Sequence, residues 1–328
     1  MSMTTPLLAS MMSPRPNIHG KKSQGPFDLT YYLKGALAGG ICCSITHGAL
    51  CPVDVVKTRI QLEPLKYNRG MIAGFGQVIA EEGVGALATG LGPTVVGYFI
   101  QGWFKFGGVE FFKINFANQL GEAKAWELRV PIYLGAAACA EFIADIFLCP
   151  LEATRIRLVS NPEYASGLIS AFPKILAEDG LIKGFYSGFG PILLKQIPYT
   201  MAKFAVQGVA AENICAATGI NTNTASEGTK LAVSLSSGVI AGVAAAIISH
   251  PADTLLSLIN KEGAGGEGTI MTRLGRLAYE VGFVKLCLTG LGARCVMIGS
   301  LTAGQFGIFD TIMTLTGASK FKFTNPNE

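Results

Sequence analysis

Charge is scarce in this sequence. Of 328 residues only 15% are Asp, Glu, Lys or Arg, where an ordinary soluble domain carries about 25%. With 50% of the residues hydrophobic, that shortage excludes a conventional water-soluble globule and makes lipid the expected solvent. No run of Lys and Arg and no aromatic-interleaved basic patch occurs, and the formal net charge is only +4, so nucleic-acid binding is set aside. The eight cysteines contain no Cys-x-x-Cys pair. Most lie in apolar stretches, where Cys behaves as a small hydrophobe, so neither a disulfide framework nor a structural zinc site is expected. Walker, His-Glu-x-x-His and Gly-x-Ser-x-Gly sequences are missing too, which argues against ATP-driven pumping and common hydrolases. Residues 263–268 match Gly-x-Gly-x-x-Gly, but they follow the charged pair Lys261-Glu262 rather than a strand. They read as a loop, and no cofactor is expected.

What is present is glycine and long apolar runs. The 41 glycines are nearly twice the usual share of about 7%, without the period of three that collagen needs. Small residues in an apolar background suit helices packed closely in lipid. Six segments, near 33–51, 84–104, 130–149, 184–204, 230–249 and 286–306, are long enough to cross a hydrocarbon core of about 30 Å. Several carry Gly, Pro or a charge in mid-span, which lipid tolerates poorly. The helices are therefore expected to surround something polar.

Internal repetition is the strongest signal. The first, third and fifth spans end in Cys-Pro52-Val-Asp54, Cys-Pro150-Leu-Glu152 and His-Pro251-Ala-Asp253, 98 and 101 residues apart. A small residue (Gly39, Ala137, Gly238) stands 13 positions before each proline. Gly83, Gly180 and Gly282 follow the prolines at offsets of 31, 30 and 31, and Gly90, Gly188 and Gly290 at 38, 38 and 39. Four features in step three times over define a triplicated unit of about 100 residues with two spanning helices each. Between the paired spans, 71–82, 168–178 and 270–280 carry apolar residues at helical spacing with a glycine just beyond, the pattern of short helices at a membrane surface. The expected units are 29–120, 127–215 and 228–318, between an N-terminal tail or presequence (1–28) and a C-terminal tail (319–328). The stretch before Phe27 has no acidic residue and carries Arg15, Lys21 and Lys22, but it lacks the apolar region of a secretory signal.

In Pro52-Val-Asp54-Val-Val-Lys57 an acid and a base share one helix face. The triplicated Pro-x-Asp/Glu-x-x-Lys/Arg pattern, the glycine-rich second halves and the length resemble the mitochondrial carrier family over about residues 30–318. The resemblance implies an all-α membrane protein of the inner mitochondrial membrane. It has six transmembrane helices in three tandem repeats, with pseudo-threefold symmetry around one central site open alternately to cytosol and matrix. It also implies a matrix gate in which Asp54 meets Arg155 and Asp253 meets Lys57, braced by Gln61. Glu152 would face Leu256, lack a base and serve as a proton carrier. A cytosolic gate would follow an aromatic-acid-x-x-base pattern. Glu110 and Lys113 nearly fit, Asp310 has lost its base to Met313, and Gln207-Gly208 has lost both. Only Lys113 with Asp310 is left to pair, so a weak gate is expected.

Four strings resemble the phosphate carrier branch of that family: Thr46-His47 through Asp54, Glu141-Phe-Ile-Ala-Asp145, Lys195-Gln-Ile-Pro198 through Phe204, and Ser249-His250 through Lys261. They imply a secondary transporter, not an enzyme, that imports inorganic phosphate with a proton or in exchange for hydroxide. The residues suit that chemistry, because a small oxyanion needs cations and donors. Lys105, Lys195 and Lys203 are intramembrane lysines that would be costly facing lipid. Lys195 and Lys203 are about two turns apart on one face, and Gln101 lies one turn before Lys105. With Gln196, which the family position adds, these are the expected anion contacts. For the proton, His47 with an ordinary pKa of about 6.5, the repelling pair Glu141 and Asp145, and the acids Asp54, Glu152 and Asp253 are the candidates. The expected partners are phosphate, protons and inner-membrane lipid, with the chain monomeric and no resident metal. A copper carrier of the same fold is the rival, since Cys42, Cys43 and His47 cluster on one helix and thiols suit Cu(I). A non-transporting scaffold is the rival from another class, and the buried charges argue against it.

Overall fold

The computed structural model describes residues 27–63, 65–221, 224–259, 268–288 and 290–323. Twelve α-helices and no strand occur among them. Six are long: α1 (Leu29–Leu62), α3 (Leu91–Leu120), α5 (Arg129–Ser160), α8 (Phe189–Thr218), α9 (Glu227–Ile259) and α12 (Leu291–Leu315). Between the members of each pair lie α2 (Gly70–Glu82), α6 (Leu168–Asp179) and α10 (Ile270–Val281), each followed by a shorter turn of helix: a 3₁₀ segment at Val84–Ala88, α7 (Leu181–Phe185) and α11 (Phe283–Leu288). A short α4 (Glu122–Glu127) joins the first repeat to the second.

The long helices form a closed ring in chain order, with α12 returning to pack on α1. Asp28 starts the ring by accepting the Tyr31 N–H at 2.9 Å, an N-cap that satisfies one of the helix's free donors. The prolines neither end nor break α1, α5 and α9, which run on through Pro52, Pro150 and Pro251. The even spans begin five to seven residues later than apolarity alone suggests, at Leu91, Phe189 and Leu291. The apolar stretch ahead of each is spent on the short surface turns instead. Five of the long helices are apolar enough to cross a membrane. The remaining one, α8, carries Lys195, Lys203, Gln207 and Glu212, yet it still takes its place in the ring between α5 and α9.

The repeated small residues have a packing cause. A Cβ on Gly39 would stand 2.4 Å from the Gly102 carbonyl oxygen, so α1 and α3 touch backbone to backbone. Gly238 repeats this against Ala303 Cα at 2.7 Å, and Ala137 is fully buried at the equivalent place. Gly83, Gly180 and Gly282 have φ of 84°, 75° and 81°, a conformation that side chains resist. Each ends a surface helix and turns the chain towards the next span. Of the glycine-rich loop, residues 263–267 lie outside the described residues.

Candidate functional site

Polar side chains lie at three heights inside the ring. The middle layer joins α3, α5 and α8. Gln101 and Lys105 are one turn apart on α3, Glu141 and Asp145 one turn apart on α5, so each pair presents one face. Lys105 Nζ is 3.1 Å from Glu141 Oε2. Gln101 Nε2 donates to Glu141 Oε1 at 2.9 Å and to Asp145 Oδ1 at 3.4 Å. Thr200 on α8 donates to Glu141 Oε2 at 2.9 Å. All five are buried. Asp145 Oδ2 and Gln101 Oε1 are buried without a hydrogen bond, so two acceptors at the centre await a donor.

Lys203, one turn beyond Thr200, is 1% exposed and has no carboxylate partner among the described residues. Its Nζ donates to Gln305 on α12 and sits 5.0–5.9 Å from the ring centres of Phe106, Phe306, Phe204 and Tyr199. A cation held by ring faces and one amide oxygen keeps most of its field for a visiting anion. His47 stacks on Tyr98, ring centres 3.6 Å apart, with Lys105, Lys203, Lys195 and Arg155 all within electrostatic reach. These cations therefore surround one interior space. Gln101 and Lys105, expected as anion contacts, are both engaged by Glu141. Lys105 pairs across helices with Glu141 and not with Glu110.

Towards the proline end, Arg155 Nη2 lies 3.1 Å from Asp54 Oδ2, and Arg155 Nη1 lies 2.9 Å from Glu152 Oε1. Glu152 is thus no orphan. It gains no base from α9 among the described residues, and the arginine one turn along its own helix serves both acids. Asp253 meets Lys195 at 3.3 Å and Lys57 at 4.0 Å, and it also pairs with Arg294, whose second nitrogen donates to Ser249 at 3.0 Å. Lys195 therefore joins the gate charges rather than Lys105, being two turns from Lys203 along α8. Gln196 is half-buried, with no hydrogen bond among the described side chains. Gln61 lies outside the described side chains.

At the other end, where the first and last described residues lie, Glu110 pairs with Lys113 on its own helix and accepts the Tyr31 hydroxyl at 2.7 Å. Lys113 does not reach Asp310. The C-terminal segment comes between them: Lys320 meets Asp310 at 2.9 Å, and Lys113 donates to the Phe321 carbonyl at 3.2 Å. This end holds more contacts than the motifs suggest, because Lys320 supplies a base to Asp310 and the Phe321 backbone bonds to Glu110 and Lys113. Phe106, Phe204, Phe306 and Phe309 close the ring below it, with ring centres 4.8–5.8 Å apart.

Sequence reasoning missed Tyr31, Thr200, Arg294, Gln305 and Lys320. Arg294 was findable as a charge inside a predicted span, and Gln305 as a polar break in an apolar run. Thr200 and Lys320 carry no such signal. No group of three His, Cys, Asp or Glu side chains placed to hold a metal occurs among the described residues. Cys42 and Cys43 are buried core residues, and the Cys42 thiol donates to the Gly39 carbonyl at 3.3 Å.

A family model described as "Mitochondrial carrier protein" matches the chain three times, over residues 29–120, 127–215 and 227–320. The chain is 50% identical over 300 residues to mitochondrial substrate carrier family protein N of Dictyostelium discoideum, covering 90% of this chain and 99% of that protein. It is 42% identical over 283 residues to human solute carrier family 25 member 3, covering 86% and 75%. It is 40% identical over 316 residues to a protein of Schizosaccharomyces pombe named probable mitochondrial phosphate carrier protein, covering 96% and 98%.

Proposed function

This chain belongs to the mitochondrial carrier family, and we propose that it carries inorganic phosphate into the matrix together with a proton, or equivalently against hydroxide. It is a multi-pass protein of the inner mitochondrial membrane and a transporter, not an enzyme. Among its relatives, several are named phosphate carriers.

The observation that carries the reading is the Lys105–Glu141 pair at 3.1 Å with Lys203 in the same interior. A carboxylate and a phosphate compete for one ammonium. Proton transfer to Glu141, or to Asp145 beside it, turns an acceptor into a donor and releases Lys105. The anion then bridges Lys105 and Lys203 and takes up Gln101 and Thr200 as donors. Anion and proton thereby favour each other's binding, which is the linkage symport requires. With phosphate in place the centre keeps its charge balance while the helices rock. The binding free energy offsets the cost of parting the Asp54–Arg155 pair and the Asp253 group, which open the matrix side. His47, stacked on Tyr98 among four cations, is a relay for the proton rather than its final holder.

Uptake of radiolabelled phosphate by the purified chain in liposomes tests this directly. An imposed pH gradient, acid outside, should accelerate uptake, Glu141→Gln should remove that acceleration, and Lys105→Gln should abolish uptake of phosphate and arsenate alike. Uptake indifferent to the gradient would end the symport reading. Copper uptake dependent on Cys42 and Cys43 would favour the metal-carrier rival, and no uptake of any ion would favour a scaffold.

A further inference from the structure

Beyond α12 residues 318–323 stay on the molecule. Gly317, at φ 70°, lets the backbone double back, with the Ala318 N–H donating to the Met313 carbonyl at 2.8 Å. Residues 318–323 then lie across the mouth at the terminal end. There the Phe321 N–H donates to both Glu110 Oε2 and the Tyr31 hydroxyl oxygen at 3.0 Å. The Phe321 carbonyl accepts from Lys113, and Lys320 pairs with Asp310. The rings follow: Phe321 packs on Phe27 with centres 5.6 Å apart, and Phe323 on Tyr133 at 5.3 Å. Six residues thus tie together α1, α3, α5 and α12.

Between this segment and the aromatic layer is a cavity of about 610 Å³. Among its lining charges, Glu110 pairs with Lys113, Arg129 with Glu212 at 3.2 Å, and Lys320 with Asp310. Residues 320–323 of the tail form part of its wall.

We propose that residues 318–323 are a latch and the moving part of the terminal-end gate, with Lys320 supplying the base that α12 lacks at Met313. The helices the latch ties must part for that end to open, and they cannot part while one segment holds Tyr31, Glu110 and Lys113 through its backbone and Asp310 through Lys320. Release of the latch and opening of this end are one event. Opening frees Glu110, Lys113 and Asp310 to water and lets the tail swing about Gly317.

The proposal rests on the alternating-access reading, but its first test does not need transport. Cys215 lines the cavity and is half-buried. Full-length protein in liposomes with the terminal end outward is treated with a membrane-impermeant maleimide, and Cys215 modification is followed by peptide mass spectrometry. Lys320→Gln and Phe321→Ala should each raise its rate about fivefold, as expected for losing an ion pair or a packed anchor. Lys230→Gln, which breaks the exposed pair with Glu227 at the same end, should leave it unchanged. A second arm joins Phe27→Cys to Phe321→Cys by a disulfide. Phosphate uptake should stop on oxidation and return with reductant. Equal Cys215 rates in wild type and tail variants, or full uptake by the cross-linked chain, would overturn the latch. Faster labelling of tail variants in a protein that takes up no phosphate would leave the latch standing and remove the phosphate reading.

Discussion

The two ends of the helix ring hold their charges in opposite ways. At the proline end the lysines that share Asp253 keep 36% and 38% of their side chains exposed, and Asp253 has three basic neighbours to exchange among. At the terminal end Glu110 and Lys113 are 5% and 3% exposed, and their other partners are a tyrosine and a piece of backbone. Ion pairs near water with interchangeable partners lose little when they part, whereas a buried pair strands an uncompensated charge. The pairing motif therefore counts charges without weighing them: the end richer in motif matches holds two of its lysines nearer to water.

Substituting one charge at each end puts that contrast at risk. Glu110→Gln takes the counter-ion from Lys113 and weakens the acceptor for Tyr31 and Phe321. Breaking a buried pair on one side costs about 3–5 kcal/mol, read as a lowered unfolding midpoint in detergent. Asp54→Asn should cost far less, because Arg155 retains Glu152. Equal losses would mean that the two ends do not differ in the way their burial suggests. Within the proline end the same logic ranks the partners of Asp253. Arg294, half-buried and bonded to Ser249 as well, should cost about 1.5–3 kcal/mol as Arg294→Gln, the usual range for a hydrogen bond to a charged group. Lys57→Gln, at 4.0 Å and more than a third exposed, should stay within about 1 kcal/mol.

How much of this was legible follows the same division. The ring, the three surface helices and the pairing of Asp54 with Arg155 are written in residues that recur at fixed offsets from Pro52, Pro150 and Pro251, so comparing one repeat with another exposes them. The terminal end is written in single occurrences. Tyr31 looks like any interfacial tyrosine, and Lys320 stands in a stretch that reads as a polar tail. Their partners lie 79 and 10 residues away, brought close only by ring closure and by the reversal at Gly317. Glu152 shows the limit from the other side. Transferring the pairing rule left it without a base, because the rule counts partners between helices and misses an arginine one turn along its own. The centre was half legible: the cost of charge in lipid marked Lys105 as an anion contact and Glu141 as a proton site, but nothing in either string said that each would occupy the other.

Packing carries the asymmetry into the backbone of a single helix pair, and so offers a test free of charge. Near the terminal end α1 and α3 meet so closely that a Cβ on Gly39 falls 2.4 Å from the Gly102 carbonyl oxygen, whereas towards the proline end a Cβ on Gly48 meets only the Val95 side chain at 3.3 Å. Gly39→Ala should therefore cost about 1–3 kcal/mol through overpacking, and Gly48→Ala should be close to neutral, since a methyl contact can yield by a few tenths of an ångström. If both were neutral, the tight crossing would not be what holds the terminal end shut.

The smallest effect is expected outside the ring, where Lys66 and Glu81 pair at 2.8 Å on the surface of the first repeat. Lys66 and Gln77 hold the Glu81 carboxyl below its ordinary range, and Glu81 in turn pushes Lys66 up to about 12. A depressed carboxyl supports the fold above its unfolded pKa and loses that support as pH falls through its folded value. A raised lysine loses its support only as pH climbs through about 12. At neutral pH both contributions are present, and both face water, where salt screens them. Glu81→Gln should accordingly leave the neutral unfolding midpoint within error and flatten only the acid limb of its pH profile, with the remaining difference vanishing in high salt. A large, salt-insensitive loss at neutral pH would place a strong ion pair on the open surface and remove burial as the quantity that separates the two ends.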